Sequence, residues 1–154
     1  MPVITRAVDR PGRRTTIYPA EFAKGLEGRL KRALTEGLGL TQFGVNLTTL
    51  DPGGRSSQRH WHEREDECIF VLDGELVLVT EAGETVLRAG DAAGFPAGDP
   101  DGHCLINRSA AAATYLEIGT RSPVERAHYP DIDLVGEKSE GTFRFFRRDG
   151  TPCE

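Results

Sequence analysis

The chain has 154 residues, 38% of them hydrophobic and 28% charged, and a net charge of −5. This suits one domain with a full core, and an acidic chain is a poor match for polyanionic nucleic acid. The longest strongly apolar run, CIFVL at 68–72, is far too short to span a membrane.

Residues 1–19 are polar, broken by Pro11-Gly12, and read as an irregular lead-in. They lack the apolar stretch of a signal peptide, so the expected location is the cytoplasm. The three cysteines, Cys68, Cys104 and Cys153, are odd in number and form no CxxC pair, which agrees with reduced thiols there. Arg6, Arg10, Arg13 and Arg14 read as a mobile basic tail. Residues 21–40 place Leu26, Leu30 and Leu34 at helical spacing, but Gly25, Gly28, Gly37 and Gly39 oppose a long helix. A short helix and an irregular segment ending in an edge strand both remain open.

From Thr41 the period changes to two. Phe43, Val45 and Leu47 alternate with polar or small residues, as in a strand. DPGG follows as a turn. ECIFVLDGELVLVTEAGETVLRAGD, 67–91, reads as three short strands, with hairpin signals at Asp73-Gly74 and Ala82-Gly83. AGFPAGDPDG reads as a loop, and HCLINRS and AAATYLEIG as two further strands. IFVL and LVLV are apolar on both faces, so their outer face is expected under a second sheet or another subunit. YPDIDL resembles an extended arm, and FRFF a late strand adding to a sheet edge in cis or on a partner. Many short strands with turns every eight to twelve residues indicate a sandwich or barrel. The divisions expected are a lead-in at 1–40, a barrel at 41–120 and an arm with a late strand at 121–154.

The segment HWHEREDE, 60–67, holds two of the four histidines. On a strand, residues i and i+2 share a face, so His60 and His62 point into one space while Arg59 and Trp61 point away. If the chain folds back after His62, Glu67 can close on the same ion, and His103 opens a later strand. Three neutral imidazoles and a carboxylate suit one divalent transition metal, with coordination positions left free. Taken alone, the same octapeptide reads as a solvated acidic turn, and Glu63, Glu65 and Asp66 are expected to be that turn's surface charges.

Flanking glycines add a pattern. Residues 54–74 read G-x5-H-x-H-x4-E-x6-G, which resembles the first motif of the cupin superfamily. Residues 90–107 read G-x5-P-x-G-x4-H-x3-N, which resembles the second. The gap before His103 is four residues (99–102) where the family has two; the extra residues fall in a turn. The resemblance covers about residues 40–120 and implies an all-β, double-stranded β-helix (jelly-roll) barrel with N- and C-terminal extensions. It implies metal ligation by His60, His62, Glu67 and His103 of one divalent ion, Mn, Fe, Ni, Co or Zn. It also implies a homodimer. The later segments resemble a group of small bacterial cupins labelled sugar-phosphate-isomerase-like.

Other polar residues leave choices open. Gln42, Asn46 and Thr48 share one face of the first clear strand, and Tyr115 and Glu117 share one on the last; Gln42, Asn46 and Tyr115 are candidate substrate contacts. Arg55 and Arg59 could bind an anion at the barrel mouth or stand on the surface. His128 reads as structural. Three functions compete: a metal-dependent isomerase-like enzyme on a sugar, sugar phosphate or hydroxy acid; a non-haem iron dioxygenase; and a non-catalytic small-ligand or sensory module. The expected partners are a small molecule and a second copy, with neither nucleic acid nor membrane, and no general base is identified.

Overall fold

Period-two patterning is realised as strands almost throughout. The computed structural model describes residues 1–154. It contains β1 (Arg29–Ala33), β2 (Phe43–Leu50), β3 (Trp61–His62), β4 (Glu67–Asp73), β5 (Glu75–Thr80) and β6 (Gly83–Arg88). These are followed by β7 (Ala92–Phe95), β8 (Cys104–Ile106), β9 (Ala113–Thr120), β10 (Glu125–Tyr129), β11 (Leu134–Ser139) and β12 (Thr142–Phe146). The only helical pieces are single 3-10 turns at Ala7–Asp9 and Ala20–Phe22. Glycine spacing thus prevailed over the leucine pattern in residues 21–40, and the edge strand β1 stands there, paired antiparallel with β2.

One sheet has the order β1-β2-β9-β4-β7. The others, β12-β11-β10-β3 and β6-β5-β8, are joined by the bridges Arg55–Ile106 and His60–His103, so residues 55–62 run between β8 and β10. The result is two facing layers. Leu50, Ile69, Val71 and Tyr115 from the first meet Leu76, Leu87 and Leu105 from the second in one core. Full burial of each such side chain contributes about 1.5–3 kcal/mol. This is the jelly-roll architecture.

Four local readings are corrected. Asp73-Gly74 is not a hairpin: β4 pairs with β7 and β9, and β5 with β6 and β8, so the chain crosses between layers at Gly74. Residues 93–95, read as the start of a loop, belong to the strand Ala92–Phe95, because β4 offers it a free edge. YPDIDL is a tight turn between β10 and β11 rather than an arm, and β12 adds to β11 in cis. The basic N-terminal residues are tied down: Arg13 exchanges both backbone hydrogen bonds with Lys31 at 2.9 Å, Arg10 Nε donates to the Ala33 carbonyl, and Arg14 pairs with Asp51 at 2.8 Å. Edge strand β1 supplies the partners of Arg10 and Arg13, and Asp51 after β2 that of Arg14, which local sequence does not reveal.

The crossover depends on glycine. Gly74 has φ +82°, and a Cβ there would lie 2.8 Å from the Ala113 side chain. Left-handed strain alone costs about 1–3 kcal/mol. Gly74→Ala is therefore expected to lower the melting temperature by roughly 5 °C or more, read by circular dichroism.

Candidate metal centre

The pairing of the chain decides where four side chains meet. His60 and His62 leave residues 55–62, and His103 stands directly opposite His60 in the same layer. Glu67 begins β4 in the facing layer, between Phe95 of β7 and Gly119 of β9. Its carboxylate reaches across: Glu67 Oε2 lies 2.8 Å from His103 Nε2 and 3.5 Å from His60 Nε2, and Oε1 lies 3.4 Å from His62 Nε2. The donor atoms of His60, His62 and Glu67 all lie within 4.8 Å of one another.

His103 lies 2.8 Å from Glu67 but outside the group that His60, His62 and Glu67 form, and four residues separate it from Gly98. These four form an outward loop in which Asp99 Oδ1 accepts from the Asp101 N–H and Asp101 Oδ1 from the Glu81 N–H. Phe95 lies flat on the His103 ring, with centroids 3.5 Å apart and planes 3° apart. On His60, Nδ1 donates to the Gln58 carbonyl at 2.9 Å, which leaves the Nε2 lone pair facing Glu67.

Charge in the cluster is strongly coupled. Burial alone would raise the Glu67 carboxyl, but His103, His60 and His62 outweigh it and hold it well below the usual carboxylate range. Burial pushes the His103 imidazole down, helped by the neighbouring imidazoles. Burial also acts downward on His62, but Glu67, Glu125 and Glu65 reverse it and the net shift is upward.

The donor set fits a cation. Glu67 Oε2 is buried without any aligned hydrogen bond, although two imidazole nitrogens stand nearby. A buried carboxylate oxygen left without a hydrogen bond is costly, and a cation among these side chains would offset that cost. Histidine nitrogen and carboxylate oxygen are donors that first-row divalent ions accept.

Two clefts open onto this cluster. One, of about 180 Å³, lies at the barrel mouth and is lined by Trp61, His62, Phe95, Asp99, Asp101 and His103 among others. The other, of about 430 Å³, lies beneath residues 13–18 and reaches His60, Glu67, Glu117 and Tyr129.

Several residues take unexpected positions. Glu63 and Asp66 are exposed, as a solvated turn would have them, while Glu65 is half-buried, and all three are tied by specific bonds. Glu65 accepts from the Ser122 N–H and pairs with Lys138, Asp66 accepts from the Ala97 N–H, and Glu63 bonds His128 Nε2 at 2.7 Å. Glu63 and Glu65 are held because β10 and β11 pack beside them. Trp61 stacks on His128 at 4.2 Å between centroids. Arg59 grips Asp131 through two bonds, at 2.8 and 2.9 Å, and Arg55 donates to Cys104 Sγ, so neither lines the two clefts. Gln42 is exposed ahead of β2. Asn46 donates to Glu117 at 3.2 Å, and Tyr115 is buried, with a hydroxyl that has no partner, beside Glu67. Sequence reasoning missed Glu125, which is 2% exposed and accepts from the backbone N–H groups of Glu63, Arg64 and Arg126. It lies 58 residues from Glu67, and nothing local marks it.

The model of the Cupin domain family matches residues 46–119. A solved sugar phosphate isomerase of the cupin superfamily from Silicibacter pomeroyi is 42% identical, with 99% of this chain and 97% of that chain covered and a TM-score of 0.93. The chain belongs to the cupin superfamily. A protein of Acidithiobacillus ferrooxidans proposed to be a sugar phosphate isomerase is 26% identical over 80% of both chains, with a TM-score of 0.74. The polyketide cyclase RemF of Streptomyces resistomycificus, 23% identical, covers 78% of this cupin and 80% of its own chain at a TM-score of 0.64, a likeness of fold. None of the curated proteins matches the chain. No helix in this cupin is long and apolar enough to cross a membrane.

Proposed function

We propose that this cupin is a metal-dependent, isomerase-like enzyme acting on a small oxygen-rich substrate: a sugar, sugar phosphate or hydroxy acid. His60, His62, Glu67 and His103 would hold one divalent transition ion. The observation that carries the reading is the buried Glu67 carboxylate facing three imidazole nitrogens without an aligned hydrogen bond. The name of the 42% identical Silicibacter pomeroyi protein supports the same class.

When bound, the ion would act as a Lewis acid on adjacent carbonyl and hydroxyl oxygens. The protein's own residues do the rest. Burial on its own would raise the Glu117 carboxyl, but Lys31 at 2.8 Å outweighs it and keeps the group ionised. Glu117 lines the same cleft as Glu67 and can accept a proton from substrate carbon there. The ring of Tyr115 and the ring of Phe95 line the small cavity between Glu67 and His103.

Elemental analysis of protein purified without added metal is expected to find close to one transition ion per chain. Incubation with aldose and ketose phosphates in D₂O is expected to exchange a carbon-bound proton, read by NMR. Absence of any bound ion would overturn the metal reading. Iron with substrate-dependent oxygen uptake would replace isomerisation by dioxygenase chemistry, and tight ligand binding without turnover would make it a binding protein. The expected homodimer would use the outer face of β4, where Phe70 and Leu72 are exposed; sedimentation velocity checks this.

A further inference from the structure

The larger cleft carries charge that the proposed chemistry at Glu67 does not use. Three cations line it, Arg13, Arg29 and Lys31, against two carboxylates, Glu67 and Glu117. Lys31 is matched by Glu117 at 2.8 Å. Arg13 leans on Glu36 at 3.4 Å and is more than half exposed. Arg29 has no ion pair at all. Its Nη1 donates to the Ser56 carbonyl at 2.7 Å, and its Nε is buried without a partner.

A half-buried guanidinium without a counter-ion is an unfavourable arrangement in an isolated fold. A planar fork of N–H donors suits a bound phosphoryl or carboxylate group, which it can grip through two bonds. Tyr18 and Ser57 line the cleft beside it and add hydroxyls. The smaller cleft has the opposite character: Asp99 and Asp101 line it, and it has no arginine or lysine. An anionic substrate entering there would meet two carboxylates, so its charged end is directed to the Arg29 side. His60 and Glu67 line this same cleft, so one small molecule can reach both ends.

We propose that the Arg29 side of the larger cleft is a subsite for a small anionic group, phosphoryl or carboxylate. Arg29 is the principal contact, and Arg13 adds charge from the rim. As an account of substrate recognition this rests on the function proposed above; as an anion site it stands apart from any metal.

The test is titration calorimetry of the protein as purified, with inorganic phosphate and separately with acetate, on samples whose metal content is also measured. Saturable binding of one or both is expected, and the tighter one names the group. Arg29→Met is expected to weaken it at least about tenfold, a loss of ~1.4 kcal/mol. Arg13→Gln, at an exposed position, is expected to weaken it about twofold to threefold. Arg88→Met, at an exposed arginine in β6, is expected to change nothing. Should Arg29→Met fail to fold by circular dichroism, Arg29→Lys takes its place, with about threefold weaker binding expected from loss of the fork. The proposal is overturned if neither anion binds, or if binding is unchanged in the Arg29 variant. Metal present with no Arg29-dependent anion binding would sink the subsite alone; Arg29-dependent binding without metal would sink the metal reading alone.

Discussion

The double variant His60→Ala, His62→Ala is expected to lose its bound transition ion, with affinity reduced by well over about 100-fold. Losing one partner that merely orients a ligand costs roughly 10–100-fold, and here two of the four donors go. The two imidazoles approach each other edge-on, with ring centroids 4.9 Å apart, and both Nε2 atoms face Glu67. Their removal leaves Glu67 with His103 alone, a pair too few to hold a first-row ion firmly. The fold should survive, because residues 55–62 remain paired with β8 and β10 through backbone bonds. Elemental analysis beside a thermal melt checks both parts. A variant that keeps its ion at wild-type stoichiometry would remove the ground for a metal enzyme.

Glu125→Ala is expected to cost about 3 kcal/mol or more in stability and to weaken ion binding together with it. The carboxylate is 2% exposed and accepts from three backbone N–H groups at 2.6–3.2 Å. Hydrogen bonds to a charged group contribute about 1.5–3 kcal/mol each, and stranded donors add a penalty. Two of those donors belong to Glu63 and Arg64, the turn that carries the chain from His62 toward Glu67. Glu125→Gln keeps one acceptor oxygen but turns an amide N–H toward the donors, so partial loss is expected. Urea denaturation measures the stability, and metal titration measures the site. A fall in stability with metal affinity unchanged would show that the turn orients itself without Glu125.

The two effects come from residues of very different legibility. His60 and His62 are two apart, and strand parity alone puts both on one face. Glu125 acts on the same turn from a strand distant in sequence, through hydrogen bonds from the Glu63 and Arg64 backbone that no spacing rule signals. Arg29 is similar: β1 shows no metal-like motif, and its role depends on which residues the fold places above and below it.

The sequence by itself determined the class of the fold, the strands from Phe43 to Leu50 and from Glu67 to Arg88, and the residue types and parity of the metal candidates. Those features are local, because alternation, turn glycines and i, i+2 spacing act within a few residues. Only the tertiary structure decided that Asp73-Gly74 is a crossing between layers rather than a hairpin, that Ala92–Phe95 is a strand, and that β10–β12 continue the histidine-bearing layer. It alone put Glu67 opposite three histidines, from a different sheet, and set an unpaired Arg29 in the adjoining cleft. The reason is physical: a strand's own residues set its two faces, but its neighbours are chosen by backbone pairing and core burial across more than a hundred residues.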